Sequence, residues 1–424
     1  MVYQNLKLLS IRRSASEILL VRGTIMKRVL FVAHENTKGG ATHSLINILD
    51  SLPENIQPYV LIPKTISFRM LFSKEYRALV KAGTLKQALI ERNIPFYEAY
   101  YYLDNIKVKQ SLISMFFYWI IRTRELKKIK RKIKEDEIEI VHSNSSVIRF
   151  GAELAEQLKL RHIWHVREDV TAMFGISGKD LEMYIRNIIE NADKVIFVAE
   201  SLKKTFQLNL NHKLGDKNQD SQKKFIRVYN GIPVSPHEKT VEKIDDNKIF
   251  NIYCFGTIYE IKGQEDLIIL AKKLVTDGYR DFKIKLVGSR KKTYYKYILN
   301  LIEQYNLEDY IKFINYTNDL DFYRNDASVE IITSRNEAFG RVAIEAMSFG
   351  NPLIVTNVGG LSEIVEQGKS GLKYEPGDVD KLFEYVKLIM NDEIVVEELV
   401  NNAKKRAEEF DIKECVSQIS NLYY

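Results

Sequence analysis

Short apolar runs recur along this chain, separated by amphipathic segments of helical length. The runs at 28–33, 59–62, 138–142, 162–165 and 194–198 are too short for helices and predict buried strands. After a polar stretch the pattern restarts at 250–255, 282–287, 311–314, 329–332 and 353–355. Strands alternating with helices indicate parallel sheets with crossover connections. The break between the two series falls at 236–248, where Pro236, Lys239, Glu242, Asp245 and Asp246 read as a linker. The expected fold is therefore α/β, with two Rossmann-like, doubly wound parallel-sheet domains. One covers 26–235 and the other 249–405, and a C-terminal helix within 406–424 returns to the first. Ligands in such sheets sit beyond the carboxyl ends of the strands, so a cleft where those ends face each other is the expected pocket.

Composition narrows the class. A chain of 424 residues, 45% hydrophobic, can bury two cores, and 20 Gly and 8 Pro without a long biased run exclude a disordered protein. Two cysteines, Cys254 and Cys415, are too few for a disulfide framework and point to a reducing, cytoplasmic setting. The longest apolar stretch, 112–121, is half of the roughly 20 residues a membrane span needs. Residues 1–25 lack the long apolar core of a secretion signal. Met26, just before the first strand, reads as the native start, with a short amphipathic anchor as the alternative. The net charge of +7 is concentrated at 107–134, where ten Lys or Arg face one acid, Glu125. A local patch of this kind gives no support to nucleic-acid binding.

The candidate chemistry begins at Ser334-Arg335-Asn336-Glu337-Ala338-Phe339-Gly340, which follows a strand and leads into a helical run at 341–349. Glu337 falls in the loop and Glu345 about a turn and a half into the helix, so both can reach one pocket at the strand ends. The helix start offers free N–H groups suited to a diphosphate. The plain alternative makes Glu337 a capping acid and Glu345 a solvated helical charge.

From Ser334 through Ile354 the chain resembles the glutamate–seven–glutamate block of glycosyltransferase family 4, a retaining family of GT-B fold. The likeness continues through Val358-Gly359-Gly360-Leu361-Ser362-Glu363-Ile364-Val365 and Gly368-Lys369-Ser370-Gly371-Leu372. Upstream, Tyr229-Asn230-Gly231-Ile232 and Lys262-Gly263-Gln264-Glu265 stand in the family's order. The likeness is dense in the second domain and thin between about 64 and 135. It implies a nucleoside-diphosphate sugar, with UDP or GDP, as donor substrate, no cofactor, and a glycan or lipid-linked acceptor. Glu345 would hold the donor ribose, Glu337 the transferred sugar, and the backbone of Phe339, Gly340 and Arg341 the sugar and phosphate. Lys262 would neutralise the departing diphosphate. The family often carries an Arg five residues before this Lys. Here that place is Thr257, with Arg290 and Arg335 as substitute cations. Tyr316 and Thr317 are candidate base contacts.

The first domain offers two further sites. Lys38-Gly39-Gly40-Ala41-Thr42-His43 joins the first strand to a helix, and Gly39 and Gly40 permit close backbone approach to a phosphate. His165, within Trp164-His165-Val166-Arg167-Glu168-Asp169, matches a family histidine that contacts the donor sugar. Arg167 could bind a phosphate or pair with Glu168 or Asp169. No general base is evident; the resemblance implies that the departing phosphate oxygen takes the acceptor proton, with covalent double displacement through Glu337 as the competitor. Asp319-Leu320-Asp321 reads as a helix cap, and no metal is expected.

Leu112, Phe116, Trp119, Leu126, Ile129 and Ile133 recur at helical spacing among Lys127, Lys128 and Lys130. That pattern fits an interfacial helix on the inner face of an anionic membrane, or a core helix with lysines in water. The main expectation is a retaining, metal-independent, peripheral glycosyltransferase of cell-surface polysaccharide synthesis. A catalytically silent binding partner and a nucleotide-sugar epimerase of the same fold are the alternatives.

Overall fold

Two parallel sheets build the molecule. The computed structural model describes residues 20–21, 24–37, 39–64, 84–101, 105, 112–214, 219–234, 249–317 and 319–424, apart from the side chains of 20–21, 24–25, 112–119, 214 and 219–220. The first sheet contains β1 (Lys27–Val32), β2 (Ile56–Pro63), β3 (Phe96–Ala99), β4 (Ile140–Ser143), β5 (Arg161–Val166), β6 (Lys194–Phe197) and β7 (Phe225–Arg227) in the order β3-β2-β1-β4-β5-β6-β7. The second contains β8 (Phe250–Phe255), β9 (Phe282–Val287), β10 (Ile311–Ile314), β11 (Val329–Ile332), β12 (Leu353–Thr356) and β13 (Leu372–Tyr374) in the order β10-β9-β8-β11-β12-β13. Each sheet reverses direction once, between β1 and β4 and between β8 and β11, and a ligand crevice opens at such a switch point.

The central strands are buried on both faces, as near-continuous apolar runs require; β8 and β11 have no exposed residue. Three strands, β3, β7 and β13, lie outside the sequence expectation. All three are sheet edges of three or four residues. An edge strand is half covered and needs no apolar run, which removes its signature. Ahead of β1, Leu20–Val21 and Thr24–Ile25 pair antiparallel.

The chain crosses between the domains twice, at one place. Ile232 N–H donates to Phe410 O at 3.0 Å, and Ile412 N–H donates to Ile232 O at 2.9 Å. A Cβ on Gly231 would lie 2.4 Å from Ile412 Cα, so only glycine lets the two crossings touch. The final helix, Ile412–Asn421, then buries Ile412, Cys415, Val416 and Ile419 against Val29, Phe31 and Leu45 of the first domain. Beside the crossing, Glu363 accepts from the backbone N–H of Glu200 (2.9 Å) and Ser201 (2.6 Å) at the start of the first-domain helix Glu200–Leu214. The linker expected at 236–248 lies outside the described residues.

The helix Leu112–Glu135 settles one alternative over its second half. Leu126, Ile129 and Ile133 are buried in the first core, and Arg122 is buried against Glu153 at 2.8 Å. These three apolar positions therefore serve the core, correcting the continuous membrane face read from the sequence. Lys127 and Lys128 are exposed, and Lys130 donates to Gln157 at 3.0 Å. The side chains of Phe116 and Trp119 lie outside the described residues. Among the described residues no helix is long and apolar enough to cross a membrane.

Candidate active site

A cavity of about 870 Å³ opens between the carboxyl ends of the two sheets. Its second-domain wall is the loop between β11 and the helix Arg341–Phe349, joined by the 3-10 turn Glu260–Lys262. Thr333 Oγ1 donates to Lys262 O at 2.6 Å and Arg335 N–H to Ile261 O at 2.7 Å, fastening turn to strand end. Lys262 and Glu337 form an ion pair in the wall, and Ser334 Oγ donates to the same carboxylate oxygen at 3.3 Å. The Val358-Gly359-Gly360 segment supports this loop from behind. Gly360 N–H donates to Glu337 O at 2.9 Å, and a Cβ on Gly359 would sit 1.9 Å from that carbonyl oxygen.

Glu345 is one step away. Its carboxylate is held by Arg324 at 3.1 Å and Arg341 at 3.2 Å, and it does not border the cavity. Arg341 also donates to Gly40 O at 2.9 Å across the cleft, while Asn336 donates to Asp169 at 3.3 Å. Residues on both sides of Glu337 thus tie the two walls together. Gly40 borders the cavity, and Gly39 caps the helix Gly40–Asp50 just outside it. Phe339 is buried, its ring 6.0 Å from Tyr229 and 6.3 Å from Phe410 at the crossing.

Several expected residues lie elsewhere. Thr257 does border the cavity, its hydroxyl 2.9 Å from that of Ser289. Neither substitute cation joins it. Arg290 lies over the rings of Tyr295 and Phe313, and Arg335 is held by Glu265 (2.7 Å) and Asp266 (2.8 Å). Tyr316 and Thr317 are not on the cavity wall; Thr317 Oγ1 accepts from Asp319 N–H at 3.1 Å. Asp319 caps the helix Leu320–Asn325 by accepting from Phe322 N–H at 3.3 Å. Among the described residues no group of three or more His, Cys, Asp or Glu is placed to hold a metal.

The first-domain wall is built from strand ends. His165 is fully buried behind the wall, 3.4 Å from His142 Nε2, and His142 Nδ1 meets the Tyr423 hydroxyl at 2.8 Å. The structure therefore sets His165 behind Arg167, away from the cavity surface where a sugar contact was expected. Arg167 donates to His165 Nδ1 at 3.1 Å, so that nitrogen is the acceptor and the proton sits on Nε2. Burial holds His165 well below the usual histidine range and lowers His142 to about 3 and His162 to about 4; all three are neutral at pH 7. Neither acid beside Arg167 pairs with it. Glu168 accepts from the hydroxyls of Ser145 (2.6 Å) and Ser146 (3.0 Å), and Asp169 caps the helix Val170–Phe174. Lys64, Glu35, Tyr101, Met173 and Phe174 also border the cavity and were not anticipated. They carry no local motif; only the crossover geometry brings them together.

Two facing domains of this strand order, with the cleft at both switch points, have the architecture of the GT-B class. The crystal structure of HepE from Anabaena in complex with UDP and glucose matches with a TM-score of 0.72 at 20% identity, over 94% of this chain and 99% of that one. Residues 235–406 match the family model described as glycosyl transferases group 1. An uncharacterized glycosyltransferase of Methanocaldococcus jannaschii is 28% identical over 303 residues, 70% of this chain and 78% of that protein. The Staphylococcus aureus capsular polysaccharide biosynthesis glycosyltransferase CapM is 28% identical over 235 residues, 51% of this chain and 57% of CapM. The second domain thus matches the group 1 glycosyltransferases, and the chain has the GT-B fold.

Proposed function

We propose that this glycosyltransferase moves a sugar from UDP or GDP to a glycan or lipid-linked acceptor with retention of configuration, without a metal, in the building of a cell-surface polysaccharide. The observation that carries the reading is the Lys262–Glu337 pair beside the start of the helix Arg341–Phe349, at the switch point of the second sheet. A diphosphate there meets Lys262 and the free N–H groups of the helix start, which offset the charge that grows on the leaving group. Binding exchanges partners: Lys262 turns to phosphate, and Glu337 is released to the hydroxyls of the sugar. With His142, His162 and His165 neutral and buried, the departing phosphate oxygen takes the acceptor proton, and the protein positions the reactants. The UDP bound by HepE and the capsular role of CapM support the donor and the pathway class. The exposed Lys127 and Lys128 would dock the first domain on an anionic membrane.

A thermal-shift series with UDP, GDP, ADP and their sugar conjugates in EDTA tests the proposal. Stabilisation by one nucleotide family identifies the donor and supports metal independence. No shift by any of them in folded protein rejects it.

A further inference from the structure

The cavity wall distributes its charge in an unexpected way. Five basic side chains border it among the described residues: His34, Lys64, Arg167, Lys262 and Arg341. Four have a carboxylate within reach: His34 faces Glu35 at 3.8 Å, Lys64 faces Glu125 at 3.6 Å, Lys262 pairs with Glu337, and Arg341 faces Glu345 at 3.2 Å. Among the described residues Arg167 has none, and it is the most deeply buried of the five, at 8% exposed. Burial makes an unbalanced charge costly, so the least accessible cation is the one expected to hold a counter-charge.

Its surroundings hold the guanidinium without cancelling it. Nε donates to Asn144 O at 3.0 Å and Asn144 Oδ1 at 3.1 Å. Nη2 donates to Asn144 Oδ1 at 2.9 Å and His165 Nδ1 at 3.1 Å, and Nη1 donates to Asn230 Oδ1. Every acceptor is neutral, and of the five N–H groups one on Nη1 is left over. Neutral His165 belongs to this cage, since a protonated imidazole would offer no lone pair to Arg167. Burial lowers the guanidinium to about 10, still cationic at pH 7.

We infer that Arg167 is the anchor for an anionic group, a phosphate or a carboxylate, carried by the acceptor substrate. The assignment to the acceptor rests on the transferase reading above. Lys262 and the helix start serve the donor diphosphate from the second-domain wall, while Arg167 directly follows β5 on the opposite wall. Met173 and Phe174, 50% and 38% exposed, follow it along the same cavity margin and suit the apolar part of such a molecule.

Asn230→Asp provides the sharpest test, because it leaves Arg167 in place and sets a carboxylate against it. The expected result is two effects of opposite sign: a higher Tm, since the buried cation gains a partner, and an affinity for inorganic phosphate about tenfold weaker or more. Phosphate is titrated with and without saturating UDP, so that in the loaded protein only a second anion site is read. Arg167→Gln should also lose phosphate binding, and Arg167→Lys should recover part of it, with UDP affinity within about twofold of wild type. Phosphate binding that survives both Asn230→Asp and Arg167→Gln overturns the inference. A fall in UDP affinity with no second phosphate site overturns the acceptor assignment and gives Arg167 to the donor. Should UDP fail to bind the wild type, the transferase reading falls, while the sensitivity of phosphate binding to Asn230→Asp still decides the anion site.

Discussion

The two walls of the cleft solve the problem of charge in opposite ways. The second-domain wall pairs its charges, Lys262 with Glu337 and Arg341 with Glu345, on loops and helix starts that are part-exposed. The first-domain wall pairs Lys64 with Glu125 at its margin, but around the end of β5 it buries its polar groups, keeps His142 and His165 neutral and, among the described residues, leaves Arg167 without a carboxylate. A ligand arriving at the second wall must exchange partners with an existing ion pair. One arriving at the first adds a missing charge. On the reading proposed above, the first wall is organised for its ligand before binding, and the second reorganises on binding.

The largest expected effect falls on the second wall. Lys262→Ala should lower kcat/KM for sugar transfer about 10²–10³-fold, measured as nucleotide release. A loss under tenfold would remove Lys262 from the leaving-group site. Gly359→Ala attacks the same wall from behind, because its new Cβ has no room beside the Glu337 carbonyl oxygen and the backbone stands at φ +46°. It should cost about 3 kcal/mol in denaturant unfolding, and an unchanged midpoint would mean the loop needs no such support.

Acid should act on the first wall. The folded values of His142 and His162 lie below the unfolded value of 6.5, so on acidification the unfolded chain takes up protons that the folded chain does not. Stability is fully present above about pH 6.5 and is lost as pH falls toward 4, by about 1.4 kcal/mol per pH unit for each group. A Tm that stays flat from pH 7 to 4.5 would contradict the burial of these rings, and His142→Gln should flatten the slope. Glu345→Gln is a smaller perturbation, as its part-exposed carboxylate shares Arg324 with Glu330. It should cost about 1 kcal/mol of stability and weaken nucleotide affinity if Glu345 reaches the ribose. Unchanged affinity would leave it as a structural partner of the two arginines. Charge reversal at Lys127 and Lys128 should move stability by no more than about 0.5 kcal/mol while abolishing binding to anionic vesicles; vesicle binding that persists removes the electrostatic docking idea.

The second domain was the more legible, because β8, β11 and β12 are fully buried strands and the block from Ser334 to Ile354 sits between two of them. The first domain was legible only in its central strands. His165 was expected at the donor sugar only through the family likeness, because a strand-end histidine looks the same in sequence whether it faces a cavity or a core. The arginines proposed to replace a missing cation at Thr257 were misplaced for a similar reason. Nothing local distinguishes an arginine clamped by Glu265 and Asp266 from one that faces a ligand.

The sequence by itself determined two doubly wound sheets and the loop and helix that carry Glu337. Those features depend on local periodicity and on where glycine and acidic residues fall relative to a strand end. Only the tertiary structure decided which groups meet: Lys262 with Glu337, 75 residues apart; Arg341 with the Gly40 carbonyl, 301 apart; and Arg167, among the described residues, with neutral partners. Pairing and burial are set by which elements the crossovers bring to one cleft, and the electrostatics of a buried group depend on everything around it rather than on its neighbours in the chain.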